Sequence, residues 1–315
     1  MTLTLTQIGN ILKEIDKNLL VYISVNLGRD VLSGSDQDLL RSCGINPEKI
    51  VSEYPPYYRM FLLGRLTQLI GDFNSSKLDY SDFEQFLKRH QYAPLTQFEK
   101  TIYELARRAT YTHLKHLTGV IRRDVETGIT EQLSRTEYER IIKKEIETGV
   151  AERKSVGAVV SDIGHRTGDW AKDLNRIVDT EMNNIFQQGR AVEMIERAKG
   201  KDPLVYKDVF EGACRHCIAF YLTAGLGSEP RVFHLSDLLA NGSNIGRKVV
   251  DWKATVNGVH PHCRCLLRQL EEGKKWDKET KRFEWDKEEI RRREKELGIK
   301  TGNIKVSVGS KSYWV

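Results

Sequence analysis

A group of cysteines and histidines in the C-terminal half constrains this chain more than any other feature. Cys214 and Cys217 are separated by two residues, and His260, Cys263 and Cys265 follow together further along the chain. A two-residue spacer lets two thiolates reach one ion across a tight turn, and Zn²⁺ prefers four sulfur or nitrogen ligands in a tetrahedron. The spacing therefore predicts a structural zinc site that holds the C-terminal domain together.

The group offers more ligands than a zinc ion needs. We favour Cys214, Cys217 and one of Cys263 and Cys265 as three of the ligands, with His260 as the fourth. A site formed by the four cysteines is the main alternative. A site closed by four protein ligands leaves no position for water, so we expect a structural ion and not a catalytic one.

The remaining residues of this kind are interpreted more simply. His216 and His262 are expected to neighbour the ligands or to face solvent. The competing interpretation of the clustered cysteines is four buried thiols, or disulfides formed outside the cell, but the paired spacing favours zinc. Cys43 stands far from the others and is predicted to be a small, buried, reduced thiol.

The composition is that of a soluble protein with a charged surface. Hydrophobic residues make up 39% and charged residues 30% of the chain, and the mean hydropathy is −0.49. No run of about 18 apolar residues occurs, and the first residues lack the basic start and apolar core of a signal peptide. We therefore expect no membrane contact and residence in a reducing cytoplasm. The formal charge of +6 permits contact with nucleic acid without requiring it.

Hydrophobic periodicity divides the chain into four parts. Residues 1–92 are predicted to form a small, adaptor-like helical region, and residues 93–200 a helical module. Residues 201–270 are predicted to form the zinc-binding α+β domain, and residues 271–315 a hairpin, a charged helix and a terminal strand packed on it. The predicted fold class is thus α+β: a mainly helical N-terminal and central region, followed by a small mixed, zinc-stapled C-terminal domain.

Individual elements can be predicted within these parts. Apolar residues recur at helical spacing around 8–20 and 58–70. A long helix should begin after the N-cap Thr96, bury Phe98 and Leu105 among other apolar residues, and end near Gly128. The other predicted elements are a short helix at 79–89, long helices at 135–149 and from 169, strands at 205–210 and 248–253, a short helix at 236–240, a hairpin at 276–285 and a charged helix at 286–297.

Catalytic motifs are missing from the sequence. No phosphate-binding loop, nucleophile elbow or Ser/His/Asp set is evident, so we expect no enzymatic activity. The alternative is a zinc-dependent nucleic-acid binding protein, or a nuclease in which His216, His234 or His262 acts as general base. Such a nuclease would need carboxylates at a second metal site beside the histidine, and the sequence contains no clear set of them.

The order of several elements resembles that of a known family. They are a helix with Arg176 and then Thr180-Glu181, Gly189, a strand, the Cys214 and Cys217 pair, and His260-Pro-x-Cys263-Arg264-Cys265. This order resembles the phage Mu F-like minor head proteins, also called the phage head morphogenesis family. The resemblance covers about residues 95–270, and the last motif is its specific part.

The resemblance implies a minor capsid protein of a tailed bacteriophage, present in few copies. Such a protein would be made in the host cytoplasm and reside in the virion head, near the portal vertex. It would act in procapsid assembly and in DNA packaging or delivery. The implied partners are the portal protein and the major capsid or scaffolding proteins, and the resemblance allows contact with packaged DNA.

Overall fold

A computed structural model of the chain describes residues 5–50, 55–71, 77, 79–90, 95–130, 170–285, 291–292, 295–296, 305–308 and 311–314. The fold class is α+β, with helices in the N-terminal and central regions and small antiparallel sheets in the C-terminal region. The predicted helix at 135–149 and most of the charged helix at 286–297 lie outside the described residues.

Eight α-helices lie within the described residues. They are α1 (Leu5–Leu27), α2 (Gly34–Ser42), α3 (Pro56–Ile70), α4 (Tyr80–His90), α5 (Gln97–Thr130), α6 (Trp170–Arg197), α7 (Arg215–Tyr221) and α8 (Leu235–Ala240). Short 3₁₀ turns occupy Arg29–Val31, Pro47–Lys49 and Val249–Asp251.

Seven short strands form three antiparallel sheets among the described residues. They are β1 (Leu204–Asp208), β2 (Val232–His234), β3 (Leu266–Gln269), β4 (Lys274–Asp277), β5 (Arg282–Trp285), β6 (Lys305–Val308) and β7 (Lys311–Trp314). The first sheet has the order β2-β1-β3, and the other two sheets are the hairpins β4-β5 and β6-β7. Lys207 of β1 pairs with Leu267 of β3, which sets the register of the central strand.

The chain folds into two compact units, each of which combines segments that are distant in sequence. The first unit comprises residues 1–58 and 104–181, and the second comprises residues 59–103 and 182–315. The four-part division drawn from the sequence follows changes of periodicity instead, and it stays a prediction.

The first unit is built around α1, whose apolar residues recur at helical spacing. Those that are fully or nearly fully buried are Leu12, Ile15, Leu19, Leu20, Ile23 and Leu27. Helix α2 begins at a capping box, in which Ser33 and Asp36 each accept a hydrogen bond from the other's backbone N–H. Cys43 follows this helix and is partly buried, so its predicted full burial is wrong, and its reduced state stays a prediction.

Charged and polar side chains complete the first unit. The guanidinium of Arg107 binds both carboxylate oxygens of Asp30, at 2.8 and 2.6 Å. Glu181, which is 5% exposed, lies 2.8 Å from Nδ1 of His113 and 3.1 Å from the hydroxyl of Thr110. A guanidinium that contacts both carboxylate oxygens forms a stronger ion pair than one that contacts a single oxygen.

Helix α5 begins as predicted but differs in its buried face and its end. The hydroxyl of Thr96 accepts a hydrogen bond from the N–H of Glu99, and the carboxylate of Glu99 accepts one from the N–H of Thr96. The predicted stripe is wrong at Phe98 and Leu105, which are 42% and 63% exposed. The buried face instead includes charged and polar residues that have partners, and an apolar pattern does not reveal such a face. The helix also continues past Gly128 to Thr130.

The second unit brings α3 and α6 into very close contact. A Cβ atom placed on Gly64 would lie 2.1 Å from the carbonyl oxygen of Phe186, and one placed on Gly189 would lie 2.1 Å from that of Phe61. Each glycine therefore lets its helix approach the other's backbone. Arg65, next to Gly64, forms ion pairs with the carboxylates of Glu99, Glu193 and Glu196.

The three-stranded sheet packs on α6 and α8 through one apolar cluster. Its buried members are Ala191, Met194, Val205, Leu235, Leu238, Val256 and Leu267. The short helix at 236–240 and the hairpin at 276–285 are confirmed. The predicted strand at 248–253 is wrong: residues Val249–Asp251 form a 3₁₀ turn, and Val250 is 85% exposed, so no sheet face receives these side chains.

Candidate metal centre

Three segments of the second unit carry the predicted ligands. Cys214 is the N-cap of α7, and Cys217 lies in the first turn of that helix. His260 and Cys263 lie at the two ends of a tight turn closed by a 3.2 Å hydrogen bond from the N–H of Cys263 to the carbonyl of His260. Cys265 immediately precedes β3. The sheet and one short helix thus bring two distant motifs together.

The five predicted ligands form two groups that share Cys217. In the first group, the Nε2 atom of His260 lies 3.1 Å from the sulfur of Cys214 and 3.4 Å from that of Cys217. In the second group, the sulfur atoms of Cys217 and Cys263 are 3.6 Å apart, and that of Cys265 lies within 4.8 Å of both. Either group could hold a metal ion, and which four donors bind stays a prediction.

The turn orients the imidazole of His260. Its Nδ1 atom lies 2.6 Å from the carbonyl oxygen of Pro261, which can only accept a hydrogen bond, and its Nε2 atom faces the two cysteines. A hydrogen bond from the other ring nitrogen is the usual way in which a protein orients a metal-binding histidine.

Backbone geometry makes the turn narrow. His262 has a φ of 59°, in the left-handed region that few residues other than glycine adopt. Gly258 precedes the turn, and a Cβ atom on it would lie 2.9 Å from the Cβ of Cys263. The segment before the ligands therefore needs glycine to pass so close to Cys263.

The aromatic ring of Trp252 lies between two histidines. It stacks on His260 with a centroid distance of 6.5 Å, and His216 meets it edge-on at 5.2 Å. The indole N–H donates to the carbonyl of Arg247 at 3.1 Å, which holds the ring in place. Trp252 thus packs against the ring of one predicted ligand.

The buried sulfur atoms perturb one another's ionisation. Hydrogen bonds from Cys217 and Cys265 hold the pKa of Cys263 well below its ordinary value, and hydrogen bonds with Cys263 and Cys265 raise the pKa of Cys217. A hydrogen bond with Cys217 lowers the pKa of Cys265, but the bond with Cys263 and burial outweigh it and raise that pKa to about 11. The three thiols therefore share protons, which a divalent cation binding the sulfurs would displace.

Side-chain amides on α6 hold the backbone of the ligand segment. Asn183 donates to the carbonyl of Cys263 at 3.0 Å, and Gln187 donates to that of Cys265 at 3.2 Å and accepts from the N–H of Leu267 at 2.9 Å. Asn184 accepts from the N–H of Gly258 at 3.1 Å. These amides satisfy buried backbone groups that the sheet leaves without partners.

Two buried cations belong to the same region. Arg190, 1% exposed, donates to the carbonyl of Leu267 at 2.9 Å and to the hydroxyl of Thr67 at 3.1 Å. Lys207, also 1% exposed, donates to the carbonyl of Val256. Burial lowers the pKa of Lys207 to about 8, and the negative charges of Cys263, Cys265 and Cys217 act against that decrease.

The remaining predicted histidines lie outside both groups. His216 contacts Trp252, His262 occupies the turn, and Nδ1 of His234 lies 3.5 Å from the carboxylate of Asp202. Sequence reasoning missed Lys207 and the amides of α6. The sequence does contain patterns that could have indicated their burial. Lys207 alternates with Val205 on one strand face, and Asn183, Gln187 and Arg190 recur at helical spacing.

Comparisons of the chain with protein-family models, with curated proteins and with solved structures found no match. Among the described residues, no helix is both long and apolar enough to cross a bilayer.

Proposed function

We propose that the cysteine and histidine cluster is a structural zinc centre. The observation that carries this proposal is the spacing of the donor atoms. Tetrahedral zinc with Zn–S bonds of about 2.3 Å separates its sulfur ligands by roughly 3.8 Å, and the sulfurs of Cys217 and Cys263 are 3.6 Å apart. The donor set of thiolates and an imidazole, free of carboxylates, also suits Zn²⁺ better than Mg²⁺ or Ca²⁺.

The proposed role of the ion is to join segments that cannot pack by themselves. The segments around Cys214 and around His260 are short, and they meet in one small buried cluster in which three of the five buried members are cysteines. An ion bound by ligands from both segments connects them directly. With four protein ligands and no position for water, it would not catalyse a reaction.

We further propose that the protein is a minor capsid protein of a tailed bacteriophage that acts in head morphogenesis. Support comes from the way in which the motifs of the resemblance combine. Helix α6 contains Thr180-Glu181 and, just after them, Asn183 and Gln187. The side-chain amides of Asn183 and Gln187 donate to the backbone carbonyls of Cys263 and Cys265 in the last motif. The helix that carries Thr180-Glu181 is thus hydrogen-bonded directly to the last motif of the resemblance, and this contact supports the proposal.

The zinc centre is tested by measuring metal in the full-length protein purified under reducing conditions. We expect about one equivalent of zinc per chain, and its loss in Cys217→Ser, because Cys217 belongs to both groups of donors. Cys43→Ser is the matched control, since Cys43 lies in the other unit, and it should retain zinc. A wild-type protein without bound metal would refute the proposed centre.

The capsid role is tested separately. The tagged protein should co-purify with a phage portal protein, and it should be present in purified phage particles. Presence in infected-cell lysate but not in particles contradicts the role. A salt-dependent mobility shift with DNA, without portal association, would favour the nucleic-acid binding alternative.

A further inference from the structure

Lys207 lies where a lysine is costly. It is in β1, the middle strand of the three-stranded sheet, and only 1% of its surface is exposed. Its neighbours along the strand alternate between the two faces, so that Leu204 and Asp208 are exposed while Val205 is buried. A charged ammonium in such a position is strongly destabilising unless an anion compensates for it.

No carboxylate supplies that anion among the residues that the structure describes. The Nζ atom of Lys207 donates to the carbonyl oxygen of Val256, which is neutral. The adjacent carboxylate, that of Asp208, pairs with the guanidinium of Arg268 at 2.7 Å. Arg190, the other fully buried cation described above, donates to both a carbonyl and a hydroxyl. Within the described residues, Lys207 donates to one carbonyl.

The register of the sheet places sulfur atoms beside Lys207. Lys207 pairs with Leu267 of β3, two residues after Cys265, and Val209, two residues after Lys207, packs against the cluster of Cys217, Cys263 and Cys265. All three cysteines are buried, and they belong to one packed cluster beside the strand. Lys207 is therefore close to the second group of donors, which consists of these same three cysteines.

The charge of a metal–thiolate centre requires such a partner. A divalent ion bound by three thiolates and one neutral imidazole carries one net negative charge, and an ion bound by four thiolates carries two. In a buried site of low dielectric this excess charge is poorly screened. A fixed cation close to the sulfurs offsets it with either ligand set.

We propose that Lys207 is the buried counter-charge of the metal–thiolate centre, and that it strengthens metal binding by stabilising the thiolate form of the cysteines. This inference rests on the proposed zinc centre. The lysine does not touch the metal and acts as a positioning and charge-compensating residue. It also explains why a strand that is otherwise apolar on its inner face contains a lysine.

The test separates the charge of Lys207 from its hydrogen bond. Lys207→Gln keeps an N–H donor for the carbonyl of Val256 and removes the charge. Tyr221→Phe is the matched control, because Tyr221 is buried in the same cluster and hydrogen-bonds to Thr255, but it is uncharged. Each full-length variant is loaded with Zn²⁺ to measure affinity by competition with a chelator, and with Co²⁺ to record the thiolate-to-metal charge-transfer band.

We expect Lys207→Gln to weaken zinc binding about 10- to 100-fold, as is typical of residues that support metal ligands. Its cobalt charge-transfer band should shift to lower energy, because thiolates that lose a nearby positive charge become better electron donors. Tyr221→Phe should leave the band in place. Wild-type zinc affinity together with an unshifted band in Lys207→Gln would overturn the inference and leave the zinc centre intact.

A failure of the proposed centre looks different, because the wild-type protein would then bind neither Zn²⁺ nor Co²⁺. If Lys207→Gln does not fold, Lys207→Arg and Lys207→Met decide the question. Zinc binding by the arginine variant, with weak or no binding by the methionine variant, supports a requirement for charge. A methionine variant that folds and binds zinc as the wild type does would contradict it.

Discussion

The interior around α1 and the interior around the candidate metal centre contrast in chemistry. Helix α1 of the first unit buries Leu19, Leu20 and Ile23, none more than 1% exposed, and these apolar side chains need no polar partner. In the second unit Gln187 and Lys207, each 1% exposed, occupy the interior together with the clustered cysteines. One interior is stabilised mainly by removing apolar surface from water, and the other by matched polar groups and by sulfur donors.

This difference predicts how much folding free energy each interior loses when a side chain is substituted. An apolar core loses free energy gradually as side chains are trimmed, since each removed methylene costs about 1 kcal/mol. A polar interior fails more abruptly, because removal of one partner leaves the other buried and unsatisfied. The interior around the candidate metal centre therefore depends on its buried polar partners, and the proposed metal ion would connect the segments of Cys214 and His260.

Metal removal should produce the largest effect. A structural zinc ion contributes roughly 10 kcal/mol of folding free energy in small zinc-binding peptides. We expect a chelator to abolish protection against hydrogen exchange in α7 and β3 and to leave α1 protected. Hydrogen exchange monitored by mass spectrometry, with and without chelator, measures both units in one sample. An equal loss of hydrogen-exchange protection in α1 would contradict the contrast between the two interiors.

Adding one methyl group to a helical glycine should have opposite effects in the two units. Gly189→Ala introduces a Cβ atom 2.1 Å from the carbonyl oxygen of Phe61, so the helices must separate. We expect a loss of at least about 3 kcal/mol of unfolding free energy, since the clash is with backbone. Gly119→Ala on α5 meets no atom within 4 Å and should stabilise the chain by about 0.5–1 kcal/mol.

Urea titration of both glycine variants, followed by circular dichroism, measures the two changes. The expected result is a lower midpoint for Gly189→Ala and an unchanged or higher midpoint for Gly119→Ala. If Gly189→Ala were as stable as the wild type, the close contact between α3 and α6 would not be a feature of the folded protein.

A smaller effect than that of Gly189→Ala concerns acid and the first unit. Burial alone would raise the pKa of Asp36, but hydrogen bonds from Lys115, Tyr111 and Ser33 together lower it below its ordinary value. The unfolded chain therefore binds this proton more readily than the folded chain does. The stabilisation is present above the unfolded pKa of about 3.9 and is lost as the pH falls through the lowered folded pKa.

Asp36→Asn should thus cost about 1–2 kcal/mol at neutral pH, where hydrogen bonds to a carboxylate are lost. The difference in unfolding free energy between this variant and the wild type should disappear as the pH falls below about 4. Asp38→Asn is the control on the same helix, because the side chain of Asp38 is 76% exposed and its ion pair with Arg41 lies at the surface. Urea titrations at several pH values measure this difference, and a constant difference would show that Asp36 does not act through its charge.

Much of the fold could be predicted from the sequence where local chemistry decides it. The α1 stripe, the Thr96 N-cap and the hairpin at 276–285 follow from periodicity and turn residues. The ligand residues of the candidate site followed from motif spacing alone. The strand predicted at 248–253 failed because apolar Val249 and Val250 suggested burial, although these side chains are 52% and 85% exposed.

The polar interior was harder to predict because periodicity counts apolar residues. The face of α6 that carries Gln187 appears hydrophilic in sequence, Lys207 interrupts an otherwise apolar strand face, and only their packing shows that both side chains point inward. Their partners are backbone groups and sulfurs brought close by tertiary structure, up to 80 residues away along the chain. Such pairings depend on the fold as a whole, and no local window of sequence contains them.

The sharing of Cys217 between two donor groups has an evolutionary consequence. With more donors than the proposed zinc ion has coordination positions, a mutation of one peripheral donor can be compensated by its neighbour, so it would change which atoms bind the proposed ion before it changed whether that ion is bound. Peripheral ligands can then drift between cysteine and histidine under weak selection, while Cys217 remains fixed. Related chains would be expected to agree on that residue and to vary around it.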